Sequence, residues 1–543
     1  MFVINRAITF SGFTLMDLPP LMAVLAQPLL ITILLIILLI FSGFHRRRGA
    51  NPNNLPPGPT PFPIIGNLHN LKGLPYIAFH RISEKYGPII YLKLGQVPSI
   101  VVSSADAASE ILKSQDSVFC SRSQLTALKI LTYGGQDIAS SPFNDHWKQL
   151  KRLCNAELFS LAKVQSLEAI RRDEVNALVN TVTKACSRKE AVDLNEALLC
   201  YANNIIFRVL FGKRISTDGE CESNPLKNLL RELGCAMAEI GAGDLFPSLG
   251  WVDVLTGWRR KIGRIFEKMD LVFEEEIRDR MLMKSTVVGG DVSSSVHHGD
   301  FLDTLLHHHH HQFLHAAADR EEEDDDQSLT INDIKAIFMN MFTAGTNAVS
   351  ATVEWGMTRL MKNPAAMKKA QAEVRRVVGE KGKVEETDLQ HLHYLKMVIK
   401  ESLRLHPPGP LPPPRECMKD TKVAGYHIPA KTRVYVSVWS IGRDPKYWGD
   451  DAEDFRPERF ENNEVNFKGA HMEFIPFGAG RRICPAISLA MASVELVYAS
   501  LLYEFDWALP EGIVQEDIDF AGNFGLALTK KVPLVALPIP PVK

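Results

Sequence analysis

The run from Leu21 to Phe44 contains no charged residue, and this constrains the chain more than any other feature. Its centre, Leu29 to Phe41, is almost pure Leu and Ile. At 1.5 Å per residue a helix of this length runs about 36 Å, enough to cross a hydrocarbon core of roughly 30 Å. His45-Arg46-Arg47-Arg48 follows at once, and the positive-inside rule places that cluster and the chain after it in the cytosol. A cleaved signal peptide has the opposite order, basic residues first and a small-residue cleavage site last. A buried core helix does not fit a charge-free run of this length that ends in three arginines. The expectation is a retained single-pass transmembrane anchor over 21–44, in contact with membrane lipid. The leader 1–20 has no role legible in the sequence.

Leu55 to Pro63 holds five prolines in nine residues, which cannot continue a helix and favour a stiff extended connector. Residues 45–63 are therefore expected to be a basic and Pro-rich hinge; an ordinary linker has the same signature. The rest of the chain, 64–543, is long for one core and suggests several domains or one unusually large one. With 46% hydrophobic and 23% charged residues, wholesale disorder is excluded. A net charge of −2 speaks against nucleic acid as a partner. The eight cysteines contain no Cys-x-x-Cys pair, so neither a disulfide scaffold nor a zinc ribbon is indicated, and a mostly reduced compartment is the simplest reading.

Ile89–Leu94 and Ser99–Ser103 read as two strands around a turn at Gly95. From about 105 to 285 the pattern is helical, with loops near Ser140-Ser141-Pro142 and Pro247-Ser248. Ile331 to Lys362 reads as one long helix, capped by Thr330 with Asp333 and stopped by Pro364. Helix is again expected over 366–406 and about 486–503. No internal repeat is visible. The fold class is mainly α with a minority of β. Residues 286–328 carry a His run from His307 to His311 and an acidic run from Glu321 to Asp326. Such composition reads as a flexible, solvated insert, a metal site being the alternative.

The stretch that carries chemistry is Pro476-Phe477-Gly478-Ala479-Gly480-Arg481-Arg482-Ile483-Cys484-Pro485-Ala486. A lone cysteine follows a Gly-rich, doubly basic loop and precedes a helix. Positive neighbours and a helix N-terminus favour thiolate, and a thiolate is a strong donor to iron. Without further signals a buried structural cysteine competes equally.

The loop resembles the cysteine-ligand signature of the cytochrome P-450 superfamily, Phe-x-x-Gly-x-Arg-x-Cys-x-Gly. Phe477, Gly480, Arg482 and Cys484 match, with Ala486 in place of the last Gly. Glu401-Ser402-Leu403-Arg404 is similar to the family's Glu-x-x-Arg, and Pro457-Glu458-Arg459-Phe460 to its Pro-Glu-Arg-Phe. Trp147 to Lys151 resembles its Trp-x-x-x-Arg, with Lys for Arg. The Pro-rich hinge and Lys400–Pro408 point to the plant A-type, microsomal branch. The resemblance runs from about residue 55 to the C-terminus, and it implies one large haem-thiolate domain over 64–543. Cys484 would be the axial ligand of haem b. Trp147, Lys151, Arg415 and Arg482 would meet the haem propionates, and Glu401, Arg404 and Arg459 would form a buried triad behind it. NADPH would supply electrons through cytochrome P-450 reductase, docked in part on Lys148, Lys151 and Arg152. The implied location is the endoplasmic reticulum membrane, with the catalytic domain cytosolic. The implied activity is insertion of one oxygen atom from O2 into a lipophilic small molecule of plant specialised metabolism.

One departure bears on that activity. Ala344-Gly345-Thr346-Asn347-Ala348 stands where the family has Ala/Gly-Gly-x-Asp/Glu-Thr. Ala344 and Gly345 fit as small residues that let the helix pass close over the haem. Asn347 and Ala348 replace the acid and the alcohol that help relay protons, and neither can do so. A substrate hydroxyl or an ordered water, held by Thr346 and Ser350, would restore a monooxygenase. Alternatively the enzyme is a haem-dependent dehydratase or rearrangement enzyme acting on oximes or hydroperoxides. The pocket is expected from segments 118–138, 235–252, 338–349, 407–414 and 521–527. Its candidate liners include Leu128, Phe342, Leu411 and Phe524, all apolar. Terpenoid, alkaloid, phenolic and amino-acid-derived substrates all stay open. A haem sensor or electron carrier, and a purely structural membrane protein, are the competing classes.

Overall fold

β-Branched and aliphatic residues of Ile89–Leu94 (β1) pair antiparallel with Val97–Val102 (β2) across the turn at Gly95. A computed structural model of the chain describes residues 54–215, 225–287, 300–318 and 329–541. The leader, the expected transmembrane anchor and residues 45–53 of the expected hinge lie outside these residues. Pro56 to Lys543 is a single compact unit. Its largest sheet is completed by Ser121–Arg122 (β3), Arg415–Glu416 (β4) and Arg433–Val436 (β5), in the order β1-β2-β5-β4-β3. β5 runs parallel to β2, and β3 pairs antiparallel with β4. The last pairing sets Arg122 directly opposite Arg415.

The helices that position the site are Asp145–Glu157 (α1), Leu194–Phe211 (α2), Pro225–Met237 (α3), Trp258–Val287 (α4), Phe301–Ala318 (α5), Ile331–Asn340 (α6), Thr346–Lys362 (α7), His393–Leu405 (α8) and Ile487–Glu504 (α9). α9 is apolar all round and most of it is enclosed by protein, which is the behaviour of a central core helix. α6 starts in a capping box, with Thr330 and Asp333 bonding each other's backbone N–H at 3.1 and 2.8 Å.

The helix expected from Ile331 to Lys362 is not uniform. Met341–Gly345 forms a π turn between α6 and α7. Hydrophobic periodicity does not distinguish one wide turn from an α-turn, so the sequence reads as continuous.

The solvated insert is corrected in part. α4 extends to Val287, and α5 places Phe301, Leu302, Leu305 and Leu306 in the main core. Asp300 caps α5 through the Asp303 N–H at 3.0 Å, and His309 Nδ1 lies 2.6 Å from the Leu329 carbonyl. The apolar set just before the histidines decides this, and the composition of the whole segment hides it. The acidic run lies outside the described residues. Among the described cysteines six are free.

Candidate cofactor and reaction site

The cysteine loop is shaped by its glycines. Gly480 has φ +69°, and a Cβ there would run into the Leu112 carbonyl and the Asp116 carboxylate. Cys484 is half-buried just before α9, and its N–H donates to the Phe477 carbonyl at 2.9 Å. Burial pushes the Cys484 thiol up; the Ala486 N–H and Lys151 pull the other way without prevailing. Both neighbours favour thiolate as the sequence implies, and loss of hydration outweighs them. A bound metal ion removes the proton from a coordinating thiol outright.

Beside the loop lies a group of buried cations. Arg482 stacks over Trp147 at 3.9 Å and donates to the carbonyls of Cys120 and Ser141 at 2.8 and 2.7 Å. Trp147 Nε1 donates to the Ile138 carbonyl at 2.9 Å. Arg415 bonds Asp116 at 2.9 Å and the Ala479 carbonyl at 2.8 Å. Arg122 donates to the Ala139 carbonyl at 3.0 Å. Lys151 Nζ donates to the Arg481 carbonyl and sits 5.2 Å from the Trp147 ring. Burial lowers the pKa of all four cations, Arg482 to about 10; guanidinium groups keep their charge in proteins.

The charges decide what this group fits. Arg122, Arg415, Arg482, Lys151 and Arg481, which also pairs with Asp116, give 5 positive charges; Asp116 and Asp137 give 2 negative ones. The excess is 5 − 2 = 3. Like charges directly opposite on paired strands, as Arg122 and Arg415 are, destabilise a sheet. A haem brings two propionates and an iron that takes a thiolate, so the donor set suits it. Sequence reading missed Arg122: one Arg in Cys120-Ser121-Arg122-Ser123 carries no motif. Only its pairing with Arg415 reveals it.

The segment that the resemblance places over the haem is the π turn and the start of α7. Ala344 is exposed, and Gly345, Asn347 and Ala348 are half-buried, on a helix that is otherwise enclosed from Asp333 to Thr358. Gly345 has a different partner from the one expected. A Cβ there would sit 2.8 Å from Ile206 Cδ1, so its smallness serves packing against α2. Asn347 turns onto α3: its Nδ2 lies 3.3 Å from the Thr343 carbonyl and would lie 2.9 Å from a Cβ on Gly234. Ser350 donates to the Thr346 and Asn347 carbonyls at 3.0 and 3.3 Å. Thr346 Oγ1 is buried without a hydrogen-bond partner.

The four apolar candidates do not form one wall. Phe342 is 2% exposed and packs among Phe207, Phe211 and Phe273, with ring centroids 5.7 to 6.2 Å away. It belongs to the aromatic core, which corrects its placement in the pocket. Leu128 is buried in the same core. Leu411 and Phe524 are half-buried against a separate cluster of Tyr76, Ala351, Trp355 and Leu528.

The structure brings Glu401, Arg404 and Arg459 together behind the cysteine loop. Arg404 grips Glu401 with two bonds of 2.7 Å and spends its remaining donors on the carbonyls of Gly442, Ala452 and Asp454. Arg459 Nε donates to Glu401 at 2.8 Å and bonds the Trp448 and Asp451 carbonyls at 3.0 Å. On the outer side, Phe143, Trp147, Lys148, Lys151, Arg152 and Arg481 line a groove of about 590 Å³.

A half-buried cysteine before a core helix, a buried cationic receptor and an interrupted helix define a haem-thiolate oxidoreductase. The cytochrome P-450 family profile matches residues 56–536, and the chain belongs to that family. It is 43% identical to cytochrome P-450 71A1 of Persea americana over 86% of this chain and 90% of that one. It is 40% identical to 5-epiaristolochene 1,3-dihydroxylase of Nicotiana tabacum, over 90% and 94% respectively. A zebra fish cytochrome P-450 solved with progesterone superposes with a TM-score of 0.70 at 25% identity, covering 86% of this chain and all of that one. The chain is thus a haem monooxygenase of the plant A-type branch, acting in specialised metabolism.

Proposed function

We propose that the enzyme oxygenates a lipophilic, largely hydrocarbon substrate, of terpenoid size and polarity. The observation that carries this is the uncovered stretch Ala344–Ala348, which offers the reaction space two alanines and no ionisable group. The relative from Nicotiana tabacum is named for such a hydrocarbon. When bound, the haem supplies O2 activation and oxygen insertion into a C–H bond. Cys484 would hold its iron. Arg122, Arg415, Arg482, Lys151 and Trp147 would hold its propionates. Ala344 and Ala348 would leave room for substrate.

Proton delivery differs from the family's acid–alcohol relay. Asn347 is engaged with α3, Ala348 has no hydroxyl, and Ser350 spends its proton on backbone. Thr346 Oγ1 is the hydroxyl with unspent capacity, so water at that position or a substrate hydroxyl carries the protons. The same geometry supports a second reading, dehydration of an oxime or rearrangement of a hydroperoxide, which needs no O2. Microsomes carrying the enzyme and its reductase, given sesquiterpene hydrocarbons and aldoximes in turn, decide between them. Products one oxygen heavier, formed only with O2, are expected. Products formed under strict anaerobiosis would defeat the oxygenase reading for this substrate class.

Electrons come from NADPH through a membrane-bound reductase that docks at the groove of Lys148, Lys151, Arg152 and Arg481, and the site of action is the cytosolic face of the endoplasmic reticulum. Charge reversal at Lys148 and Arg152 is expected to lower reductase-supported turnover about tenfold and leave peroxide-supported turnover unchanged. Equal losses in both assays would remove the docking assignment.

A further inference from the structure

The loop Asp137–Ser141 touches three members of the cationic receptor, Arg122, Arg482 and Trp147, and it does so through its backbone. The Ile138 carbonyl accepts from Trp147 Nε1 at 2.9 Å and Arg482 Nη1 at 3.3 Å. The Ala139 carbonyl accepts from Arg122 Nε at 3.0 Å, and the Ser141 carbonyl from Arg482 Nη2 at 2.7 Å. The Ser140 carbonyl accepts from Gln124 Nε2 at 3.0 Å. Three of these four consecutive carbonyls thus set where two guanidiniums and the indole stand, and the fourth is held by Gln124. A loop with this task must itself be held, since irregular backbone has no ladder to fix it.

Two buried side chains hold it. Asp137, 1% exposed, accepts at Oδ1 from the Ser140 hydroxyl and N–H at 2.6 and 3.1 Å, which closes the loop on itself. Its Oδ2 accepts from Asn340 Nδ2 at 2.7 Å, and Asn340 Oδ1 accepts from the Ala139 N–H at 3.2 Å. Asn340 is the last residue of α6, immediately before the π turn. The pair is reciprocal: each side chain meets the other's segment, and both are out of water, where such bonds count most. Asp137 also supplies one of the negative charges that Arg122 and Arg482 feel.

We propose that Asp137 and Asn340 are paired positioning residues for the haem: they tie the receptor for its propionates to the end of α6, immediately before the π turn. Neither residue reaches the haem; they act through Arg122, Arg482 and Trp147. The carboxylate–amide polarity is what matters. Asn at 137 would point an amide N–H2 at the amide N–H2 of Asn340, whereas exchange of the two residues restores one donor facing one acceptor.

The test uses the full-length haem protein and measures transfer of haem to an apomyoglobin scavenger, together with the ferric Soret position. Asp137→Asn and Asn340→Ala are each expected to release haem about tenfold faster than the parent, as for a buried charge-assisted bond. The exchanged variant, Asp137→Asn with Asn340→Asp, is expected to return to within about threefold of the parent. Release within about twofold of the parent in both single variants would overturn the proposal. So would an exchanged variant no better than the singles, since a general loss of packing gives no such rescue. If Asp137→Asn yields no folded protein, Asn340→Ala decides on the same criterion, because it leaves the Asp137–Ser140 bonds intact.

Discussion

The molecule contains two buried groups of arginines, and they are built on opposite plans. Behind the cysteine loop, Arg404 and Arg459 share Glu401, and their remaining donors meet the chain's own carbonyls. Beside the loop, Arg122 and Arg415 face each other across a strand pair, with Arg482 close enough to lower the pKa of Arg122 further. The first group is complete within the chain and acts as a lock. The second carries surplus charge and acts as a receptor, complete only with an anionic group. Burial alone does not distinguish them; the placement of counter-charge does.

The largest expected effect is on the lock. Glu401→Gln leaves Arg404 buried without a carboxylate and Arg459 with only Asp451, 3.5 Å away, at a cost of about 3–5 kcal/mol. Chemical denaturation should show this loss with and without haem. A loss confined to the haem-loaded protein would mean that the triad belongs to the receptor instead.

Next comes the receptor. Arg122→Gln removes one of two opposed cations and keeps an amide donor. Stability of the haem-free protein is expected to change by less than about 1 kcal/mol, while haem is released about tenfold faster. Destabilisation equal to that of Glu401→Gln would erase the distinction between the groups.

The smallest effect sharpens the boundary of the lock. His406, at the end of α8, stacks on Trp355 at 4.2 Å and accepts from Arg359 Nε at 2.8 Å. Burial, then Arg359, Arg443, Lys530 and Arg404, holds its pKa well below the ordinary value. Folded His406 stays neutral, whereas in the unfolded chain it takes up a proton below about pH 6.5. Stability should therefore be unaffected above that pH and fall as pH drops below it, by up to about 1.4 kcal/mol per unit from this residue. Thermal midpoints between pH 7 and 5 should fall less steeply for His406→Gln. Identical slopes would show that this site tolerates another cation.

The lock was legible in the sequence only through the family resemblance, which joins two short motifs more than fifty residues apart. Glu401 and Arg404 are one helical turn apart, and Arg459 sits in a compact Pro-Glu-Arg-Phe element. The receptor was only partly legible. Trp147, Lys151 and Arg482 carry motif spacing, but Arg122 acquires its partner from a segment that joins the sheet nearly three hundred residues later. Asn347 shows the limit from the other side. The sequence gives its identity, and with it the loss of an ionisable group, but not that its amide rests on Gly234 of α3.

The sequence by itself determined the helical class and the capping of α6, and its family motifs carried the lock and the expectation that Cys484 holds the iron, since each rests on chemistry written in short motifs. Tertiary structure alone decided which cations share one buried space, where the long helix widens into a π turn, that Phe342 joins the aromatic core, and that α5 packs instead of solvating. The reason is the same in each case. Burial and charge pairing are set by segments remote along the chain, and their energies depend on surroundings that no local pattern contains.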